Sequence, residues 1–115
     1  MNKDFSTFKK YFKKYQQLFG LTGYKVYFKH EPLDGCYADI TVDERVATVR
    51  LNNSLPSKHD PFRDVKQSAK HEAIHLLIHR LQHLARCRYL FVDDIDEATE
   101  ELVFKLEDLI KELKI

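Results

Sequence analysis

The stretch Ser68-Ala69-Lys70-His71-Glu72-Ala73-Ile74-His75-Leu76-Leu77-Ile78 reads H-E-x-x-H within a run whose apolar residues recur at helical spacing. Residues four apart lie one turn apart on the same side of a helix, so the imidazoles of His71 and His75 are expected to reach one metal ion, with Glu72 beside them. With six His and eight Glu in 115 residues, shuffling alone produces this pattern in roughly 2% of such chains. Its surroundings therefore have to carry the reading. Ala69, Ala73, Leu76, Leu77, Ile78, Leu81, Leu84 and Ala85 supply the helical period around it, and Asp60-Pro61 has the form of an N-cap followed by proline at the first helical position. The spacing predicts a helix from there to about Arg86.

Upstream, Phe5, Phe8, Phe12, Tyr15, Leu18 and Phe19 fall on one face of a helix expected from about Asp4 to Phe19, with Lys9, Lys10, Lys13 and Lys14 largely elsewhere; Gly20 and Gly23 stop it. Residues Tyr24 to His30 alternate Tyr24, Val26 and Phe28 with Lys25, Tyr27 and Lys29, the period of a half-buried strand. Pro32, Asp34 and Gly35 form a turn. Cys36 to Val42 and Arg45 to Asn52 read as two further strands joined so tightly at Asp43-Glu44 that they should form an antiparallel hairpin. Downstream, Ala98, Leu102, Leu106, Leu109 and Leu113 mark a last helix from about Asp94 to Leu113. The expected fold is a single α+β domain over residues 1–115: an N-terminal helix, a three-stranded and mainly antiparallel sheet, the H-E-x-x-H helix and a C-terminal helix, with the helices on one face of the sheet.

The bulk composition excludes several function classes. A net charge of +1 gives no whole-molecule field for nucleic acid or an anionic membrane. No apolar run approaches membrane-spanning length, and the N-terminus, with Lys3, Asp4, Lys9 and Lys10 among its aromatics, lacks the apolar core of a secretory signal, so a cytoplasmic location and no membrane partner are expected. Two cysteines, Cys36 and Cys87, are too few for a disulfide scaffold and read as buried or half-buried free thiols.

A hydrolytic zinc site takes three protein ligands and leaves one position open. His79 continues the histidine row but lies two turns from His71, about 12 Å along the axis, too far to share one ion. His79 and His83 are expected to face solvent or support the site. Cys87, about 18 Å beyond His75 along a continuous helix, is excluded by the same measure. The acids at the start of the last helix, Glu97, Glu100 and Glu101, are better placed; Glu100 is the expected third ligand because Val103, Leu106 and Ile110 follow it at helical spacing, with Glu101 second. Glu72 is then the general base for water acidified by the metal, returning the proton to the leaving amine. Tyr37, Tyr89 and Arg80 have the chemistry to stabilise an oxyanion, and the sequence does not choose among them.

The layout of three short strands ending in Ala47-Thr48-Val49-Arg50-Leu51-Asn52, then Lys70-His71-Glu72-Ala73-Ile74-His75-Leu76-Leu77, then the acidic helix Glu100-Glu101-Leu102-Val103-Phe104-Lys105-Leu106-Glu107 resembles the small phage-type zincin metallopeptidases. These gluzincin-like proteins share a minimal H-E-x-x-H fold with SprT-like and ImmA/IrrE-type domains. The resemblance spans about Gly23 to Ile110. It implies a zinc ion held by His71, His75 and an acid of the Glu100-Glu101 pair, catalysis through Glu72, a peptide or protein substrate, and a sheet edge along which an extended peptide could pair. A zinc-stabilised module that binds protein or nucleic acid without catalysis is the alternative, supported by Lys9, Lys10, Lys13 and Lys14 interleaved with Phe8, Tyr11, Phe12 and Tyr15.

Overall fold

The computed structural model describes residues 2–54, 64–87, 89 and 91–112. Its elements are α1 (Asn2–Leu18), β1 (Lys25–Glu31), β2 (Ala38–Asp43), β3 (Val46–Asn52), α2 (Val65–Ala85) and α3 (Val92–Glu112). All six expected elements are present, in the expected order. No helix among the described residues is long and apolar enough to cross a membrane.

The apolar face of α1 builds the centre of the core. Phe8 and Phe12 are fully buried and meet Phe28 of β1 edge-on, with ring centroids 6.4 and 5.5 Å apart. Gly20, with φ of 71°, ends the helix: its N–H donates to the Gln17 carbonyl at 3.0 Å, and the Leu21 N–H reaches the Gln16 carbonyl at 2.9 Å. This pairing satisfies two carbonyls of the last turn and returns Leu21 to the core, where it is buried.

The sheet corrects one expectation. Strand order is β1-β3-β2, with β2 antiparallel to β3 but β1 parallel to it, so the sheet is mixed rather than mainly antiparallel. The β2–β3 hairpin forms as expected, with its two-residue turn at Glu44-Arg45, one residue later than Asp43-Glu44. The longer link through residues 32–37 carries the chain past the central position to the far edge, so β3 returns between its predecessors and runs parallel with β1. The central strand turns Ala47, Val49 and Leu51 into the core, while its opposite face carries Arg50, which donates from Nε to Asp39 on β2 at 2.8 Å and from Nη1 to Glu31 on β1 at 3.2 Å. One face is thus polar and the other receives the helices. Glu44 sits at φ 56°, where a Cβ is strained and where two-residue hairpins prefer glycine. Replacing Glu44 with Gly is expected to stabilise the chain by about 0.5 kcal/mol in chemical denaturation.

Helix α2 packs between α1 and β2 through Ala69, Ala73 and Leu76, all fully buried; the two alanines, one turn apart, leave room for α1 to approach closely. Its observed start is Val65. Asp64 is the cap, extended at φ −115° and accepting the Gln67 N–H at 3.0 Å, four residues later than the expected cap; Asp60 and Pro61 lie outside the described residues. The Asp64 side chain ties down one of the N–H groups that the first turn of the helix leaves without a partner. Asp64→Ala is expected to cost about 1 kcal/mol, read as a lower denaturation midpoint at unchanged slope. Helix α3 meets the rest of the fold through Ala98 and Leu109. Leu113 lies outside the described residues.

Candidate metal centre and cleft

Helical spacing delivers the two histidines as the sequence requires. His71 Nε2 and His75 Nε2 stand 3.2 Å apart, with ring centroids separated by 4.8 Å and ring planes at 73°, and both side chains are exposed. Two nitrogens held about 2.0–2.1 Å from a tetrahedral zinc stand about 3.3 Å from each other. The pair therefore has the separation of two adjacent ligands of one ion.

Glu72 lies on the inward side of α2, across from the chain entering β2, and is only 5% exposed. Burial raises its pKa, Asp39 adds to the rise, and His71 partly opposes it. A carboxyl whose proton affinity is lifted by its surroundings suits a group that must take up a proton and release it again. His71 and Glu72, with Gln67 and Ser68 on α2, form one wall of a cleft of about 370 Å³. The chain entering β2, Gly35 to Ala38, forms the other.

That second wall is held by a residue the sequence reading passed over. Asn52, at the end of β3 and 1% exposed, accepts from the Leu33 N–H at 3.2 Å, the Ser54 N–H at 2.9 Å and the Ser54 hydroxyl at 3.1 Å. Its amide donates to the carbonyls of Leu33 at 2.9 Å and Cys36 at 2.7 Å. A polar residue closing an apolar strand was the available signal; nothing in the pattern said which loop it would bind. Tyr37, one of the three expected oxyanion candidates, lines the same cleft. Cys36 is half-buried there, its thiol pKa raised first by burial and then by Asp39 and Glu72.

Other expected residues stand elsewhere. Glu100, the expected third ligand, is exposed on α3, and among the described residues it forms no three-ligand group with the histidine pair. The inward point of α3 is Ala98, 3% exposed, and two residues at 100° each place Glu100 about 160° away around the helix. Val103 and Leu106, which follow Glu100 at helical spacing, are themselves exposed, so that row is not the inward side of α3. Glu101 and Glu97 face α2 instead, but their carboxylates hold Arg80, with contacts of 2.6 and 2.8 Å. Among the described residues, no group of three His, Cys, Asp or Glu side chains has the geometry to hold a metal ion. Arg80 is accordingly occupied by these acids, and Tyr89 is 87% exposed, which leaves Tyr37 as the oxyanion candidate at the cleft.

His79 and His83 stack on each other with centroids 5.9 Å apart and line a separate cleft with Arg80, Tyr24 and Arg45, so neither joins the pair. Half-buried His79 has its pKa lowered by burial, then by His83 and Arg86. Cys87 is exposed rather than buried or half-buried, since α2 ends at Ala85 and releases the chain to the surface. Comparison of the chain with known protein families, with curated proteins and with solved structures finds no match to any of them, so the site is read from its own residues.

Proposed function

We propose that the chain is a zinc-dependent peptidase in which His71 and His75 hold the metal and Glu72 is the general base. The observation that carries this reading is the 3.2 Å separation of the two Nε2 atoms, next to a buried carboxyl at the wall of a cleft. A zinc ion on this pair supplies a Lewis acid that polarises a carbonyl and acidifies water. The Glu72 carboxylate accepts the proton that water gives up as its oxygen attacks the peptide carbon. As the C–N bond breaks, Glu72 returns that proton to the departing amine. Tyr37 stands on the opposite wall, where its hydroxyl is suited to donate to the oxyanion. Strand β2 is an edge of the sheet, which suits an extended peptide that pairs with its backbone and crosses the cleft.

The third donor follows from the resemblance: an acid from the start of α3. Glu97 and Glu101 lie at Arg80 in the cleft of His79 and His83, so none of the three acids is singled out and the third donor is assigned by the variants below. Purified protein is expected to bind one zinc per chain by equilibrium titration and to cleave an unfolded protein substrate, with both properties lost on chelation. His71→Ala and His75→Ala are each expected to weaken zinc binding at least 100-fold. Glu→Gln changes at 97, 100 and 101, made singly, identify the third ligand as the one position that lowers zinc affinity. Zinc binding that survives loss of both histidines would sink the assignment.

A further inference from the structure

The overall charge of +1 conceals a separation. Helix α1 carries Lys3, Lys9, Lys10, Lys13 and Lys14 against Asp4 alone, whereas α3 carries nine acids and two lysines. On the α1 side the lysines converge. Lys10 Nζ lies 5.8 Å and Lys14 Nζ 5.7 Å from the centroid of the Tyr11 ring, and Lys66 reaches the same ring from the first turn of α2 at 5.0 Å. Lys9 lies over Phe5 at 4.6 Å and Lys13 over Phe28 at 5.8 Å. Among the described residues, none of Lys9, Lys10, Lys13, Lys14 or Lys66 is within ion-pair distance of a carboxylate. Lys66 beside the Tyr11 hydroxyl lowers its pKa, as do the charges of Lys10 and Lys14.

Like charges gathered from two helices around one ring repel, and the ring quadrupole offsets only part of that. An anion with repeated charges relieves the remainder. We propose that the lysine-covered side of α1, closed by Lys66, is a binding surface for single-stranded nucleic acid, with phosphates on the ammonium groups and a base against the half-exposed Tyr11. Lys10 and Lys14 are one turn apart, about 6 Å along the axis, so they meet successive charges rather than one. The interleaving of cations with rings is the pattern of a surface that tracks a backbone and stacks bases. A membrane fits less well: Phe8 and Phe12, the apolar side of α1, are fully buried, so no apolar face remains to enter lipid. The surface does not include His71, Glu72 or His75, and stands or falls independently of the peptidase reading.

Fluorescence anisotropy of the full chain with a labelled single-stranded oligothymidylate, measured from 50 to 200 mM salt, tests this. Wild type is expected to bind with steep salt dependence. Lys10→Gln/Lys14→Gln/Lys66→Gln is expected to lose at least tenfold in affinity and about two units of the log–log salt slope, three phosphate contacts at roughly 0.7 each. Tyr11→Leu is expected to lose about fivefold or more with the slope unchanged. Lys25→Gln/Lys29→Gln, on the outer side of β1, and Glu72→Gln are expected to bind as wild type does. Circular dichroism of each variant confirms the fold, and the three single Lys→Gln variants supply the same readout should the triple variant misfold. No binding at 50 mM salt, an unchanged affinity in the folded triple variant, or equal competition by polyglutamate overturns the proposal. The last outcome would assign the surface to an acidic protein instead.

Discussion

Glu72→Gln is expected to abolish turnover while leaving zinc bound and the metal-free fold more stable. Removing a general base costs about 10²- to 10⁴-fold in rate, and Gln keeps the shape of the side chain without accepting the proton. Stability moves the other way because the carboxyl is buried beside α2 and β2 with its pKa raised. A carboxyl with a higher pKa in the folded state binds its proton more tightly there than in the unfolded chain. The wild-type fold therefore loses stability as pH rises through the unfolded glutamate value near 4.3 toward the raised folded value, and the loss is complete above both. Gln does not titrate. Metal-free Glu72→Gln is expected to exceed wild type by about 1 kcal/mol at pH 7, roughly 4 °C in Tm, and to converge with it below about pH 4. Paired thermal melts at the two pH values, with turnover and zinc titration at pH 7, check each part. Residual turnover above one part in a hundred removes Glu72 from the chemistry; an unchanged melt at pH 7 removes the buried-charge argument.

Asn52→Ala is expected to be the most damaging change outside the apolar core, lowering stability by about 3 kcal/mol and Tm by roughly 12 °C. The substitution removes five hydrogen bonds at once, to the N–H and carbonyl of Leu33, the carbonyl of Cys36, and the N–H and hydroxyl of Ser54. The backbone groups at Leu33 and Cys36 lose their fixed partner, and the entry to β2 is freed. Because that entry is the cleft wall opposite His71 and Glu72, kcat/KM is expected to fall further than the stability loss explains at a temperature where the variant stays folded. Urea denaturation measures the first effect, and amide exchange at Leu33 through Ala38 localises it. A loss below 1 kcal/mol, or exchange unchanged in that segment, contradicts the role assigned to Asn52.

What could be read along the chain was what short-range geometry controls. The aromatic face of α1, the alternation in β1 and the β2–β3 hairpin follow from periods of a few residues and stand as expected, the turn lying one residue later than Asp43-Glu44. So does the convergence of His71 and His75, since four residues on a helix fix their separation whatever the rest of the molecule does. Distant parts of the chain decided the remainder. Strand polarity turned on where the link through residues 32–37 set β2 down, and the surroundings of Glu97, Glu100 and Glu101 turned on how α3 is rotated against α2. Likewise, Lys66 meets Tyr11, and Asn52 meets Leu33 and Cys36, across separations that carry no periodic signal. The sequence by itself determined the elements, the inward faces of α1 and β1, and the histidine pair, because backbone geometry repeats locally. The tertiary structure alone decided sheet topology, the cleft wall, the occupation of the α3 acids and the gathering of lysines, because each depends on docking between elements whose relative rotation no local repeat specifies.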